Sequence, residues 1–443
     1  MKYAPQFLIA SFLLGSTAAD DWPQFLGPQR DGVWQEDGIV DKFPEGGPPL
    51  VWKTAIAAGF SGPAVAEGKV YVMDRQAEPI APKDRDAWKR AEIPGNERVL
   101  CLDAMTGEIL WTYEYDCPYT TATAYATGPR STPTVDDGLV YTLGAEGQLF
   151  ALDAEDGGVK WALDFRERYG LEVPVWGMAS HPLVIGDKLI CMAGGKDASV
   201  VALNKTTGEE IWRALDSDQP GYAPPVQLMI AGRPTLVVWN SDTVAGLDSD
   251  DGKTRWSATV KADFAMAIAA PRLEGNRLFL TYHRGKSAMV EISPNGDSAE
   301  VAWLGDLKTG VGGVVSTPWL KDGLIFGCAI NGELTCADLA TGKKLWETFA
   351  PFQRDRRVDW GNLFIVPHED RYFLASDTGD LIIANLDTEG YHEIDRTKLI
   401  EPNTPIGNRK LVWSHPAFAN RHIYLRNDSE IRCYSLAKTK TES

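Results

Sequence analysis

The chain has 443 residues, 44% of them hydrophobic, and a formal net charge of −17. That charge argues against nucleic acid and anionic membrane surfaces as partners, because a strongly acidic chain is repelled by both. The 15 Trp and the apolar content are ample for a large core, and after the first residues no apolar run nears the roughly 20 residues of a membrane-spanning helix.

Residues 1–19 read as an export signal. Lys2 precedes an apolar stretch from Phe7 to Leu14, and small residues, Thr17-Ala-Ala19, lead to Asp20. A frayed apolar terminus is the alternative. No Cys follows the stretch, which argues against a lipid anchor at that point. The expected location is periplasmic or extracellular, in soluble form. Residues 20–49 are rich in Gly, Pro and Asp, yet carry Trp22 and Phe25. An arm packed on the following domain would keep those rings from water.

From there a repeat takes over. An Asp or Asn is followed four residues later by Gly and four after that by Trp. The copies are Asp103/Gly107/Trp111, Asp153/Gly157/Trp161, Asn204/Gly208/Trp212, Asp248/Gly252/Trp256 and Asp338/Gly342/Trp346. With Trp303 included, successive Trp lie 50, 51, 44, 47 and 43 residues apart, a period that suits a four-stranded antiparallel blade. Residues 128–165 give the plan: β-rich runs such as Leu139–Leu143 and Gln148–Leu152, cut by Gly/Asp turns. In the motif, the Asp carboxylate accepts N–H groups of its own turn. Gly supplies a positive φ that closes that turn, and Trp packs into the seam between blades while its N–H finds a carbonyl.

The count predicts an all-β, eight-bladed propeller over 50–437, with 438–443 as a tail. Blade one covers 59–116, and blades two to six follow at about 128–165, 175–216, 221–260, 265–307 and 311–352. Blade five lacks an aligned Asp. Blade seven, about 359–402, reads as degenerate, with Leu386 at the Asp position and Ile394 at the Trp position. Residues 411–437 supply three strands, and the orphan run 50–56 fits the missing fourth, closing the ring and removing free edges.

Six scattered cysteines include no CxxC pair. Cys101, Cys336 and Cys433 fall at equivalent third-strand positions, as small buried residues would. A Cys328–Cys336 bridge across one hairpin is the alternative. The 248–252 stretch has the wrong spacing for a calcium loop, and no metal site is expected. No nucleophile elbow, P-loop, dinucleotide fingerprint or HExxH occurs, so no catalytic residue is assigned.

Strand parity puts the Asp-to-Trp turns on one face, and the long inter-blade links with the 76–98 insertion on the other. Function concentrates where long loops sit on a rigid scaffold. That face gathers Tyr119, Tyr125, Arg130, Trp176, His181, Tyr222, Asp359, Trp360, Asn362, Trp413 and His415. These residues either plug the channel or grip a flat anionic ligand by stacking and an Arg pair. His181 and His415 each precede Pro at similar blade positions, which favours a structural role for both.

The run Leu102-Asp-Ala-Met-Thr-Gly-Glu-Ile-Leu-Trp111 and the Ser-Thr-Pro lead-ins at 131–133 and 316–318 resemble the tryptophan-docking repeat of the PQQ-like β-propeller superfamily. The opening Trp22-Pro-Gln-Phe25-Leu-Gly-Pro-Gln-Arg30-Asp-Gly32 looks like that of a group of exported propellers of this kind. The resemblance implies one of two functions. One is a non-catalytic, BamB-like envelope scaffold that binds a protein partner or small ligand at the long-loop face. The other is a quinoprotein dehydrogenase oxidising an alcohol or sugar. There PQQ and Ca²⁺ would sit in the mouth, Arg130 would pair with the quinone, Trp176, Trp360 or Trp413 would stack, and Asp359 would be the candidate base. The adjacent cysteines of many alcohol-oxidising members are missing.

Overall fold

In a computed structural model, residues 21–217, 219–313 and 315–438 are described. The export-signal reading of 1–19 lies outside them, as does most of the tail. Eight four-stranded antiparallel sheets form the propeller. Blade two is typical, with strands Thr134–Asp136, Leu139–Leu143, Gln148–Asp153 and Val159–Asp164 from the axis outward. Blade eight joins both ends of the chain. Ala417–Ala419, His422–Arg426 and Glu430–Ser435 are completed by Leu50–Ala55, with Thr54 opposite Ile431.

The repeat works as a lock between neighbours. Asp103 Oδ1 accepts the N–H groups of Met105 and Thr106 at 2.9 and 2.8 Å. Trp111 of blade one lies over Gly157 of blade two, and its Nε1 donates to Ala154 O at 3.2 Å. A Cβ on Gly157 would stand 2.6 Å from the indole, so only glycine permits the approach.

The other motif glycines show the same thing, and they correct the sequence reading of this position as a turn-closing residue alone. Each glycine receives the tryptophan of the preceding blade rather than the one four residues after it. A Cβ on Gly107 would stand 2.5 Å from Trp52, one on Gly208 2.8 Å from Trp161, and one on Gly252 2.7 Å from Trp212. At Gly342 the atom would meet Trp303 at 3.1 Å and Thr309 at 2.9 Å. The motif read along one chain segment is thus split in space, its glycine serving one seam and its tryptophan the next.

Trp161, Trp212, Trp303 and Trp346 reach the carbonyls of Lys205, Ser249, Leu339 and Asp387 as Trp111 reaches Ala154. Trp52 of the closing strand reaches Ala104 O at 2.9 Å. The cysteines have a steric reason as well. Cys101, Cys336 and Cys433 sit opposite Trp111, Trp346 and Trp52, where blades two to four carry Ala151, Ala202 and Gly246. All six cysteines are free and buried, so the alternative of a 328–336 bridge is not realised.

Two blades break the pattern with visible consequences. Blade five replaces the motif by a Ser293–Ser298 turn, and the buried Trp256 of blade four is left with an Nε1 that has no partner. In blade seven the register corrects the sequence reading. Asp387, not position 386, makes the turn, accepting from Glu389 and Gly390 at 2.7 and 3.1 Å. Asp395, opposite Ile383, occupies the Trp position, and Ile394 is the bulge residue beside it. Asp395 Oδ2 instead accepts the N–H of Phe43 at 2.7 Å, so the N-terminal arm docks where a tryptophan would.

That arm runs across the short-turn face. Trp22 bridges Val65, Pro23 O accepts from Val135, and Arg30 donates to Pro182 O and His181 O at 2.8 and 2.9 Å. Arg30 O accepts from Arg272, Trp34 bonds Pro367 O, and Val40 bonds Leu436 O. Blades one, two, three, five, seven and eight are thereby tied together. Midway, Phe25 lies on the propeller axis, stacked on His181 with centroids 3.8 Å apart and edge-on to His415 at 4.6 Å. The channel is closed at that end.

Candidate functional site

Innermost strands begin at the axis, so the last residues of each inter-blade link are delivered to the channel mouth. A cavity of about 340 Å³ opens there on the long-loop face. Phe60, Arg130, Ala179, Tyr222, Ile268, Val315, Trp360 and Trp413 line it, one from each link. Their equivalence is visible in the chain. Seven stand three residues before a Pro, in the pattern x-(Ser/Ala)-x-Pro, and Trp360 holds the same offset before Leu363. Two residues further on, His181 and His415 form the floor with Phe25.

Of the sequence-predicted residues, Tyr125, Arg130, Trp176, His181, Tyr222, Trp360, Trp413 and His415 are brought together around this cavity. Asp359 is not: its side chain is exposed, 3.8 Å from Arg357. Asn362 is buried off the cavity, its N–H donating to the Asp377 carboxylate at 2.9 Å and its carbonyl accepting the Asp377 N–H at 3.0 Å. Tyr119 is buried, its hydroxyl donating to Glu97, whose carboxyl is pushed up by burial. The repeat motif itself stays away from the site. Neither its glycines, Gly107, Gly157, Gly208, Gly252 and Gly342, nor the tryptophans docked on them line the cavity. The residue-type reading missed Phe25, Phe60 and Trp88. Phe60 was recoverable from the offset before Pro63. Trp88 was hidden in an insertion that reads as solvated loop.

The walls are aromatic on both sides. Phe60, Trp413 and Trp360 follow one another at 6.2 and 6.1 Å. Opposite them, Trp176 contacts Tyr222 and Tyr125 at 6.2 and 6.4 Å. Trp176 Nε1 donates to Ala87 O at 3.2 Å, which pins the 77–95 insertion over the mouth. There Trp88 packs on Trp176 and on Phe264, at 5.2 and 4.8 Å, while staying 53% exposed. Phe264, Ala265, Arg284 and Trp360 all hold left-handed backbone, with φ from +58° to +65°. Such strain costs about 1–2 kcal/mol per residue and persists where the surroundings over-determine a surface.

The polar side chains lining the cavity are Arg130, the histidines His181, His283 and His415, and the tyrosines Tyr125 and Tyr222. Both floor histidines are neutral. Burial and Arg30 hold His181 well below the usual range, and its Nδ1 accepts the Thr132 N–H at 2.8 Å. Burial lowers His415 to about 3. Arg130 is different. Its Nη1 and Nη2 donate to Gly128 O and Tyr125 O at 3.2 and 2.5 Å, and its Cζ lies 4.9 Å from the Phe60 ring centre. No carboxylate pairs with it among the described residues. Burial lowers its pKa, but a guanidinium keeps its charge.

These residues do not fit the quinone and calcium ion that the resemblance suggested. No Asp or Glu lines the cavity, one Arg faces it, and no cluster of three or more metal-ligating side chains occurs among the described residues. A tricarboxylate quinone with Ca²⁺ needs several cationic donors and a set of hard oxygen ligands.

Residues 95–348 match the family model described as outer membrane protein assembly factor BamB. The chain belongs to that family. The BamB of Yersinia pestis is 24% identical over 264 residues, 54% of this chain and 62% of that protein. The quinoprotein alcohol dehydrogenase PedH of Pseudomonas putida is 29% identical over 199 residues, 44% of this chain and 30% of that one. The chain thus spans less than two thirds of either curated relative. In fold it is similar to BamB from Moraxella catarrhalis, with a TM-score of 0.56 at 15% identity, covering 89% of this chain and 98% of that one. It is also similar to the quinohemoprotein alcohol dehydrogenase of Comamonas testosteroni, with a TM-score of 0.61 at 13% identity, covering 95% and 81%. One architecture therefore carries both an assembly factor and an enzyme, and the site must separate them. Among the described residues of this BamB-family chain, no helix is long and apolar enough to cross a membrane.

Proposed function

We propose that this chain is an exported, non-catalytic propeller of the cell envelope. Its long-loop face is the recognition surface, with the axial cavity as a ligand pocket and the aromatic lip as the contact for a protein partner. The observation that carries the reading is the lining itself: mostly aromatic and aliphatic, with one guanidinium, three histidines and no carboxylate. A dehydrogenase needs a base within reach of the proton it removes. Asp359 points to solvent, both floor histidines are packed against Phe25, and the third lining histidine, His283, lies edge-on to Phe264 at the lip. The relatives named as outer membrane protein assembly factors support an envelope protein as partner.

Two measurements test this. Purified protein is mixed with PQQ and Ca²⁺ and assayed by dye-linked oxidation of alcohols and sugars, and no turnover is expected. Saturable PQQ binding with turnover would overturn the reading. In cells, a photo-crosslinker at Trp88 is expected to capture a partner that the same group at Ile211, on an outer strand, does not. Equal capture at both positions would remove the long-loop face as the recognition surface.

A further inference from the structure

The mouth ring is a repeat in which one position departs. Equivalent offsets carry Phe60, Arg130, Ala179, Tyr222, Ile268, Val315, Trp360 and Trp413. Seven are apolar or aromatic, and one is a guanidinium. Arg130 begins blade two, so in an eight-bladed ring Val315 of blade six faces it across the axis. Its neighbours in the ring are Phe60 and Ala179. The methyl of Ala179 leaves open the space beside the guanidinium that a larger side chain would fill.

We infer that the cavity binds a small bicyclic aromatic monocarboxylate. The carboxylate pairs with Arg130, and the rings lie along the Phe60–Trp413–Trp360 wall with their far edge toward Val315. This deepens the proposed ligand-pocket role and rests on it. Each part of the class follows from the lining. A cationic ligand is disfavoured because the aromatic walls are accompanied by Arg130 and by no carboxylate. A sugar would leave most hydroxyls unpaired, since beyond Arg130 and the indoles only Tyr125, Tyr222 and His283 offer polar atoms outside the packed floor, and no amide or carboxylate side chain lines the cavity. A polyanion would bring charges that one guanidinium cannot pair. A single carboxylate answers the unused donors of Arg130, whose described bonds go only to two backbone carbonyls. Size sets the rings: the 340 Å³ cavity is roughly twice the ~150 Å³ that holds one benzene.

The test is titration of the whole folded protein with benzoate, 1-naphthoate and indole-3-acetate, each beside its neutral amide, by calorimetry. The bicyclic acids are expected to bind one per chain, more tightly than benzoate. They should exceed their amides by roughly ten- to a hundredfold, the range of a hydrogen bond to a charged group. Arg130→Gln should erase the difference between acid and amide while amide binding persists. Ala179→Phe, which keeps the guanidinium and its backbone bonds, should abolish binding of both. Equal affinity of acid and amide, or no binding by any of the acids to wild-type protein, would overturn the assignment. If the acids fail while the Trp88 crosslink is still captured, the ligand class falls and the scaffold reading stands.

Discussion

Two glycines of blade two separate the cost of a left-handed backbone from the cost of displacing a docked tryptophan. Gly138 and Gly157 have φ of +73° and +75°. A Cβ on Gly138 would meet nothing within 4 Å, whereas one on Gly157 would stand 2.6, 2.9 and 3.1 Å from atoms of Trp111. Ala at either position carries the left-handed penalty of about 1–2 kcal/mol. At Gly157 the indole must also retreat. That retreat overpacks the seam by about 1–3 kcal/mol and strains the Nε1 bond to Ala154 O, worth about 1 kcal/mol. Gly138→Ala is therefore expected to destabilise by about 1–2 kcal/mol and Gly157→Ala by about 3–6 kcal/mol. Equilibrium urea unfolding, followed by circular dichroism and tryptophan fluorescence, measures both. In a Trp111→Ala background the excess at Gly157 should vanish, giving a coupling of about 2–4 kcal/mol in the double-mutant cycle. Equal losses for the two glycine variants, or no coupling to Trp111, would refute the docking account.

The orphaned indole of Trp256 gives a second contrast. Trp161→Phe breaks the bond to Lys205 O and is expected to cost about 1 kcal/mol more than Trp256→Phe, which removes a buried donor already unpaired; the two denaturation midpoints decide it. The buried histidine floor predicts a pH dependence. His415, ordinarily near 6.5, is held at about 3 when folded, so the unfolded chain binds the extra proton between those values. Its contribution is complete above 6.5 and is lost as pH falls toward 3. Wild type should lose about 1.4 kcal/mol per pH unit more than His415→Phe between pH 6 and pH 4, and parallel stability curves would contradict this.

The fold was legible because its lock is written at fixed offsets: Asp, Gly and Trp recur in sequence because one turn recurs in space. What the offsets could not say is which tryptophan meets which glycine. Gly208 and Gly252 each hold the indole of the blade before, a pairing about 45 residues long that follows from the ring and not from the motif. The same regularity explains the misreadings in blade seven. A longer hairpin shifted both Asp387 and the Trp position, while the bulge before that position is shared with the other blades, so counting residues missed what hydrogen-bond register decides. At the site, residue type alone picked out Arg130 and the tryptophans, and it also picked Asp359 and Asn362, which share their links but not their direction. The better signal was positional, the third residue before the link proline. Trp88 and Phe25 had no such signal, since one comes from an insertion and the other from an arm that crosses the axis.

The closing strand carries a consequence for how the molecule comes into being. Leu50–Ala55 precedes every other strand of the ring, and its partner Glu430–Ser435 is the last strand among the described residues. Until Glu430–Ser435 is made, the early strand has no ladder, and an unpaired edge invites mispairing with other chains. The arm has the same dependence, since its bonds reach from blade one to blade eight. Phe25 can settle under the cavity only after every blade stands. A chain truncated before Glu430 would thus have neither a closed circle nor a floor, and an occupied pocket would certify a closed ring.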